Sequence, residues 1–596
     1  MKFNTIAELF LESVEKLPEH PAYFDKINGE WQKLTFGEVG QIVENLAFGL
    51  AASGIDKGDK VAILATNQSK WAMADFAITG LGAATVTVYP TLISSQIQYI
   101  IKNSDTKLIF VEDEEQSAKV LEFLDSTPGL KKIVVMNDKL NDDERFISFS
   151  ELIKIGSEFK AKADFTFRDR ALAVKPDDLL TLIYTSGTTG DPKGVMLSHK
   201  NLASNIKAGR KEILITPDDI FLSFLPLSHS FERMVGHLSA FSANSQVYYA
   251  ESIDTVAANM QEVHPTIVVA VPRFFEKVHG RVLDKVSNDP AVRQKIFHWA
   301  LGVGQKSAKF LTRGKKPTGF LATKFAIADK LVFSKLKERV GGALRFFVSG
   351  GAPLSKDIGE FFASANIPIL EGYGLTETSP VITVNRTDLY KFGTVGSTIE
   401  EVEVKIAEDG EILCKGPNVM LGYYKNQAAT DEAIDFDGWF HTGDVGHFDE
   451  DNYLIITDRI KNLLVTSGGK NIAPAQLENA LIMSKYIEQC VAIGDRRNFV
   501  SALIVPAQEN LVAWAESEGL ETADYQDLLN NPAVQGLFDS ELAKTMQGFS
   551  HYEIIKKFAL LPDLWTIESG EITPSLKVKR KVVIENNVEL IESIYN

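Results

Sequence analysis

Cysteine is almost missing from this 596-residue chain: Cys414 and Cys490 are the only two, and no metal-ligand spacing surrounds them. That excludes a disulfide framework and a zinc module, argues against thiol catalysis, and fits a reducing compartment such as the cytoplasm. No apolar h-region follows Met1-Lys2-Phe3-Asn4-Thr5, so no secretory leader is expected. Positive charge is in deficit, with 62 Lys and Arg against 79 Asp and Glu and a net charge of −17. A chain this acidic is not expected to take nucleic acid as a partner. Long unbroken apolar runs are absent too. The uncharged stretch from Phe76 to Ile101 is interrupted by Gly80, Gly82, Pro90 and several hydroxyl residues, so it reads as buried α/β core and not as a membrane span. Short internal repeats and low-complexity segments are also lacking.

What is present is length and alternation. A chain of 596 residues exceeds one hydrophobic core. Through the first 175 residues, helix-spaced stretches such as Phe36 to Ser53 alternate with strand-like runs at 60–64, 107–111 and 132–136. Apolar strands separated by helices imply parallel sheet covered on both faces.

The most informative string is Tyr184-Thr185-Ser186-Gly187-Thr188-Thr189-Gly190-Asp191-Pro192-Lys193-Gly194, which follows the apolar run 179–183. Glycines let main-chain N–H groups approach an anion, hydroxyls add donors and a lysine adds a point charge. This is a phosphate cradle, although it lacks the order of the common nucleotide P-loop. Further on, two Gly-rich turns follow short strands: Ser349-Gly350-Gly351-Ala352-Pro353, and Gly372-Tyr373-Gly374-Leu375-Thr376-Glu377-Thr378. Ligands of doubly wound sheets collect at such strand ends. Tyr373 offers a flat face for adenine, Thr376 a phosphate donor, and Glu377 a hard oxygen suited to Mg2+.

In this order the strings resemble the acyl-adenylate-forming (AMP-binding) superfamily, which includes acyl-CoA synthetases, luciferases and peptide-synthetase adenylation domains. Leu225-Pro226-Leu227-Ser228-His229-Ser230-Phe231-Glu232-Arg233 and Val271-Pro272-Arg273-Phe274-Phe275-Glu276-Lys277-Val278 are similar to its long-chain fatty acyl-CoA synthetases. The resemblance implies a fold: a large multi-subdomain α/β domain over 1–459, then a small mobile α+β domain over 460–596. It also implies roles. Thr185, Ser186, Gly187, Thr188, Thr189, Gly190 and Lys193 would hold the β- and γ-phosphates of ATP. Gly351, Gly372, Tyr373, Gly374, Asp444 and Arg459 would complete the nucleotide site, with Asp444 on the ribose. His229, Phe231, Arg273 and Gly350 would face the acyl group. Lys461 would be the hinge, and Gly468, Gly469 and Lys470 would line the CoA channel. The catalytic lysine of the Gly570–Arg580 stretch would be Lys577, with Lys579 as the alternative.

The implied reaction is ATP- and Mg2+-dependent conversion of a long-chain fatty acid to acyl-AMP, then thioester formation with coenzyme A. A carrier-protein phosphopantetheine is the alternative acceptor. A non-catalytic lipid- or nucleotide-binding relative is a further alternative, against which Lys193, Glu377, Asp444 and Lys577 together argue. A homodimer is compatible with the chain.

One segment departs from the acidic average. Residues 303–340 carry ten Lys or Arg against Asp329 and Glu338, interleaved with Phe310, Phe320, Phe325, Leu331 and Phe333. Such a stretch fits a helical hairpin whose apolar face packs inward, and also peripheral attachment to an anionic membrane surface.

Overall fold

Strands Lys60–Leu64, Ala84–Val88 and Leu108–Val111 pair in parallel, with Lys60–Leu64 between the other two. Their Val, Ile and Leu side chains are buried on both faces because helices cover both sides of the sheet. The structure is a computed structural model and describes residues 1–139, 143–185, 191–466, 471–566, 569–573 and 577–595.

Among the described residues, the first part of the chain builds three sheets. An eight-stranded sheet holds the three strands above and also Leu179–Thr185, which ends at the phosphate-loop string. A nine-stranded sheet includes Ile220–Ser223, Ile267–Ala270, Phe346–Ser349 and Ile369–Gly374, all neighbours in parallel. A four-stranded antiparallel sheet runs over Glu403–Ile406, Glu411–Lys415, Phe440–Phe448 and Leu454–Arg459. Residues beyond 464 build cores of their own around the sheet of Ile487–Ile493, Val500–Pro506 and Ile555–Leu560.

The two large sheets are pinned by a buried ion pair. Asp75, on helix Ser69–Gly80, accepts from Arg233 Nε at 2.9 Å and from Nη2 at 2.5 Å, while Arg233 Nη1 donates to Thr181 Oγ1 at 2.7 Å. Next to it, Glu232 accepts from Ser223 Oγ at 2.7 Å, and burial pushes its carboxyl up to about 8. The Glu232-Arg233 end of the sequence string therefore serves the core, while Leu225, Pro226, His229, Ser230 and Phe231 line the cleft.

The basic segment is helical over Ala291–Leu311, Gly319–Ala328 and Ser334–Arg339. Its apolar side chains divide. Val303, Phe333 and Leu336 pack with Phe347 and Phe362, whereas Phe310, Phe320, Ile327 and Leu331 face solvent. Among the described residues, no helix is long and apolar enough to cross a membrane.

Candidate active site

A cavity of about 2590 Å³ opens between the sheets of the first part and the residues beyond 464. Thr185 and Lys193 are register partners across the antiparallel pair Leu179–Thr185 and Lys193–Ser198, and both line the cavity. Ser186, Gly187, Thr188, Thr189 and Gly190 lie outside the described residues. Lys193 Nζ stands 4.9 Å from the ring centre of Tyr423, whose hydroxyl donates to Glu377 Oε1 at 2.9 Å. Tyr423 thus joins the lysine of one motif to the carboxylate of another. Sequence reasoning missed it because its position depends on the two-residue strand Gly422–Tyr423 pairing with Val195 and Met196, more than two hundred residues earlier.

Strand Ile369–Gly374 delivers Tyr373, and the turn after it delivers Thr376 and Glu377. At Gly374 an added Cβ would sit 1.6 Å from the carbonyl oxygen of Pro380, so no other residue fits that close approach. Tyr373 Oη donates to Asp444 Oδ2 at 2.7 Å, and Arg459 Nε donates to Asp444 Oδ1 at 2.7 Å. Asp444 and Arg459 are register partners in the hairpin of Phe440–Phe448 and Leu454–Arg459. Each carboxylate oxygen keeps a free lone pair for a hydroxyl donor. Asp444 is thereby oriented for a diol and balanced by a fixed cation.

Thr376 Oγ1 lies 3.2 Å from Ser230 Oγ, beside His229. The main-chain N–H of Phe231 donates to His229 Nδ1 at 3.2 Å, which leaves the proton of the neutral ring on Nε2. Burial, and then the charge of Lys577, hold His229 down at about 3, so it is a neutral donor at any ordinary pH. Phe231 lies over Gly350: an added Cβ there would come within 2.9 Å of the ring. Gly351 and Gly372 line the same wall. So does Glu371, which burial pushes up to about 8; as a mostly neutral acid it does not oppose an anionic ligand.

Lys577 enters from the C-terminal part. Its main chain is held by Thr573, whose hydroxyl accepts from the Lys577 N–H at 3.0 Å and whose own N–H donates to the Lys577 carbonyl at 2.8 Å. The ammonium stands among Arg459, Asp444, Glu377 and His229, close enough to interact electrostatically with each. Burial between the cleft walls, and then Arg459, bring its pKa down to about 8, while Asp444 and Glu377 act in the opposite direction. Solvent still reaches the side chain through the open cleft. Lys579 also lines the cavity, with its N–H on the Glu571 carbonyl at 2.6 Å.

Two expected site residues are placed differently from the rest. Arg273 lines the cavity, but its Nη1 donates to the carbonyl of Glu488 at 2.9 Å, in the C-terminal part. Lys461 sits in the exposed turn Ile460–Asn462 directly after Arg459. Gly468, Gly469 and Lys470 lie outside the described residues. Among the described residues no three His, Cys, Asp or Glu side chains converge as a metal cluster. Glu377 still fits Mg2+, which commonly takes one or two carboxylates and completes its shell from substrate phosphates and water.

Comparison with known proteins gives the family and the fold. Residues 10–424 match the family model described as AMP-binding enzyme, and residues 461–596 match the AMP-binding enzyme C-terminal domain. The chain is 36% identical to the long-chain-fatty-acid–CoA ligase FadD15 of Mycobacterium bovis, over 100% of this chain and 97% of that one. It is 31% identical to the peroxisomal long chain acyl-CoA synthetase 6 of Arabidopsis thaliana, over 95% and 82% respectively. Among solved structures, the anthranilate CoA ligase AuaEII in complex with anthranoyl-AMP superposes with a TM-score of 0.75 at 18% identity, covering 99% of this chain and 98% of that one. The chain belongs to the AMP-binding enzyme family, with the fold of the adenylate-forming enzymes.

Proposed function

We infer that this protein is an AMP-forming long-chain fatty acid:CoA ligase. The observation that carries the reading is Lys577: a lysine of the C-terminal part is brought against Asp444, Glu377 and Arg459 of the first part, where a nucleotide's phosphates and ribose would meet. The boundary we assign between the two domains falls after Arg459, with 1–459 as the adenylation domain and 460–596 as the mobile one.

In the first step a carboxylate oxygen of the fatty acid attacks the α-phosphorus of ATP. An acyl O–P bond forms, the bond to the β-phosphate oxygen breaks, and pyrophosphate leaves. Charge builds on the α-phosphate oxygens, where Lys577 and Thr376 supply preorganised stabilisation. The 185–193 string and Lys193 hold the outer phosphates. Asp444 takes the ribose hydroxyls, Arg459 fixes Asp444, and Tyr373 stacks on the adenine. Glu377 would hold Mg2+, which neutralises phosphate charge. His229 presents its Nε2–H to the acyl carboxylate. The nucleophile is already ionised, since a carboxyl pKa is about 4, so no general base is needed.

In the second step the CoA thiol attacks the acyl carbon and AMP leaves. A thiol of pKa about 8.5 is a few per cent ionised near neutrality, so positioning suffices. We assign the positioning to Gly468, Gly469 and Lys470, brought in when the small domain turns about Lys461. We further propose that the exposed apolar and basic side chains around Phe320, Lys315 and Lys316 rest on an anionic membrane, from which the substrate is collected.

The test is fatty-acid-dependent ATP–pyrophosphate exchange, followed by AMP release with and without CoA. Exchange that requires a fatty acid, with AMP release that requires CoA, is expected. Exchange without any response to CoA would move the acceptor to a carrier-protein thiol.

A further inference from the structure

The cavity extends inward past His229 between the nine-stranded sheet and helix His199–Glu212. Three neighbouring strands present one face to it. Phe221, Ile267 and Phe346 are register partners and form its deep row. Leu225, Val271 and Gly350, each four residues further along, form the row at the mouth. Four strand residues span about 13 Å. A bilayer's hydrocarbon core is about 30 Å thick, so one lipid tail occupies about 15 Å of it, and the two lengths are close.

Opposite the sheet, Met234, Val235 and Ser239 line the cavity together with the C-terminal end of helix His199–Glu212, which is capped by Ser198, whose hydroxyl accepts from the Asn201 N–H at 3.2 Å. Near its C-terminal end Gly209 and Arg210 line the cavity. A Cβ at Gly209 would meet only the Met234 methyl, at 3.4 Å, so space beside this residue is open. Arg210 closes the end. Its Nη1 donates to the Ser242 carbonyl at 2.8 Å and to the Ser242 hydroxyl at 3.1 Å, and Nη2 donates to the Ile215 carbonyl at 3.3 Å. The same guanidinium reaches Met1, which is 53% exposed, so it separates the apolar cavity from the surface.

We propose that Gly209 and Arg210 are the chain-length gauge of the enzyme: the missing side chain at Gly209 leaves room for the last methylenes of a leaflet-length tail, and Arg210 is the stop. The proposal rests on the fatty-acid reading above. A bulkier residue at 209 shortens the apolar bore, whereas removing the Arg210 side chain opens it towards Met1.

The experiment measures kcat/KM over straight-chain acids from hexanoate to docosanoate for the wild type, Gly209→Leu, Gly209→Ala and Arg210→Ala. Gly209→Leu keeps activity on octanoate and loses the longest acids, each methylene left without room costing about ten- to two-hundred-fold. Gly209→Ala shifts the optimum the same way by less, and Arg210→Ala shifts it towards longer acids. Both replacements at 209 improve helix propensity, so the fold is not weakened by the helix itself. A uniform loss across the panel, or an unchanged optimum in the 209 variants, overturns the gauge. A wild type that turns over none of these acids overturns the fatty-acid reading instead.

Discussion

Arg273 donates its Nη1–H to the main-chain carbonyl of Glu488 over 2.9 Å and also lies 3.5 Å from the Glu488 carboxylate. This contact joins helix Pro272–Ser287 of the first part to strand Ile487–Ile493 of the C-terminal part, so it favours the arrangement in which Lys577 stands beside Asp444 and Glu377. Both side chains are partly exposed, and such a charged contact contributes about 1 kcal/mol, or about five-fold in the population of this pose. Arg273→Ala should lower fatty-acid-dependent pyrophosphate exchange by about that factor and leave thioester formation from supplied acyl-AMP undiminished. Equal losses in the two half-reactions would return Arg273 to the substrate site.

Lys577 titrates at about 8, and its useful form is the protonated one. The charge offered to the α-phosphate is complete below that pH and is lost above it. kcat/KM for adenylation should therefore fall as pH rises through about 8. His229, held at about 3, contributes no limb near neutrality. Lys577→Arg, if active, should lack the fall because a guanidinium stays charged. A flat wild-type profile across that range would contradict the assignment.

The Asp75–Arg233 pair is fully enclosed, with both side chains 1% exposed. Arg233→Met leaves the buried Asp75 carboxylate with only the Thr85 hydroxyl, which donates to it at 2.6 Å, and His237 at 3.8 Å, and should cost about 3–5 kcal/mol in urea unfolding, whereas Asp75→Leu with Arg233→Met should recover most of it. A loss under about 1 kcal/mol in the single variant would mean that the pair does not pin the two sheets.

At the surface, Lys315→Glu with Lys316→Glu should weaken co-sedimentation with anionic vesicles, each lost cation removing about 1 kcal/mol of attraction before screening. Added salt should weaken it as well. Phe320→Ser should weaken the salt-resistant remainder. Equal binding to neutral and anionic vesicles would remove this face from the account.

Much of the site was legible because its chemistry is written in short strings. Tyr373, Thr376 and Glu377 are adjacent, and Asp444 and Arg459 stand in a hairpin that aligns them. The nearby Tyr423 carried no such signal, since it is placed by a strand pairing across the chain. The deep row of Phe221, Ile267 and Phe346 looks in sequence like ordinary buried strand. Only the register between strands separated by long crossovers shows that the three share a cavity wall. In the 303–340 segment Val303 and Leu336 are packed inward and Phe320 and Leu331 are left outside. Amphipathic spacing does not specify how many of its apolar residues a neighbour will cover.

If one small domain serves two half-reactions by presenting two faces, Lys577→Ala and Lys461→Pro damage different ones, and assay of each half-reaction separately in both variants decides it. Lys577→Ala should lose adenylation by about 100- to 1000-fold and still make thioester from supplied acyl-AMP. Proline fixes φ and removes an N–H, so Lys461→Pro should obstruct the turn. That variant should form acyl-AMP and release pyrophosphate, then stall before the thioester. Loss of the same half-reaction to the same degree in both variants would contradict the account.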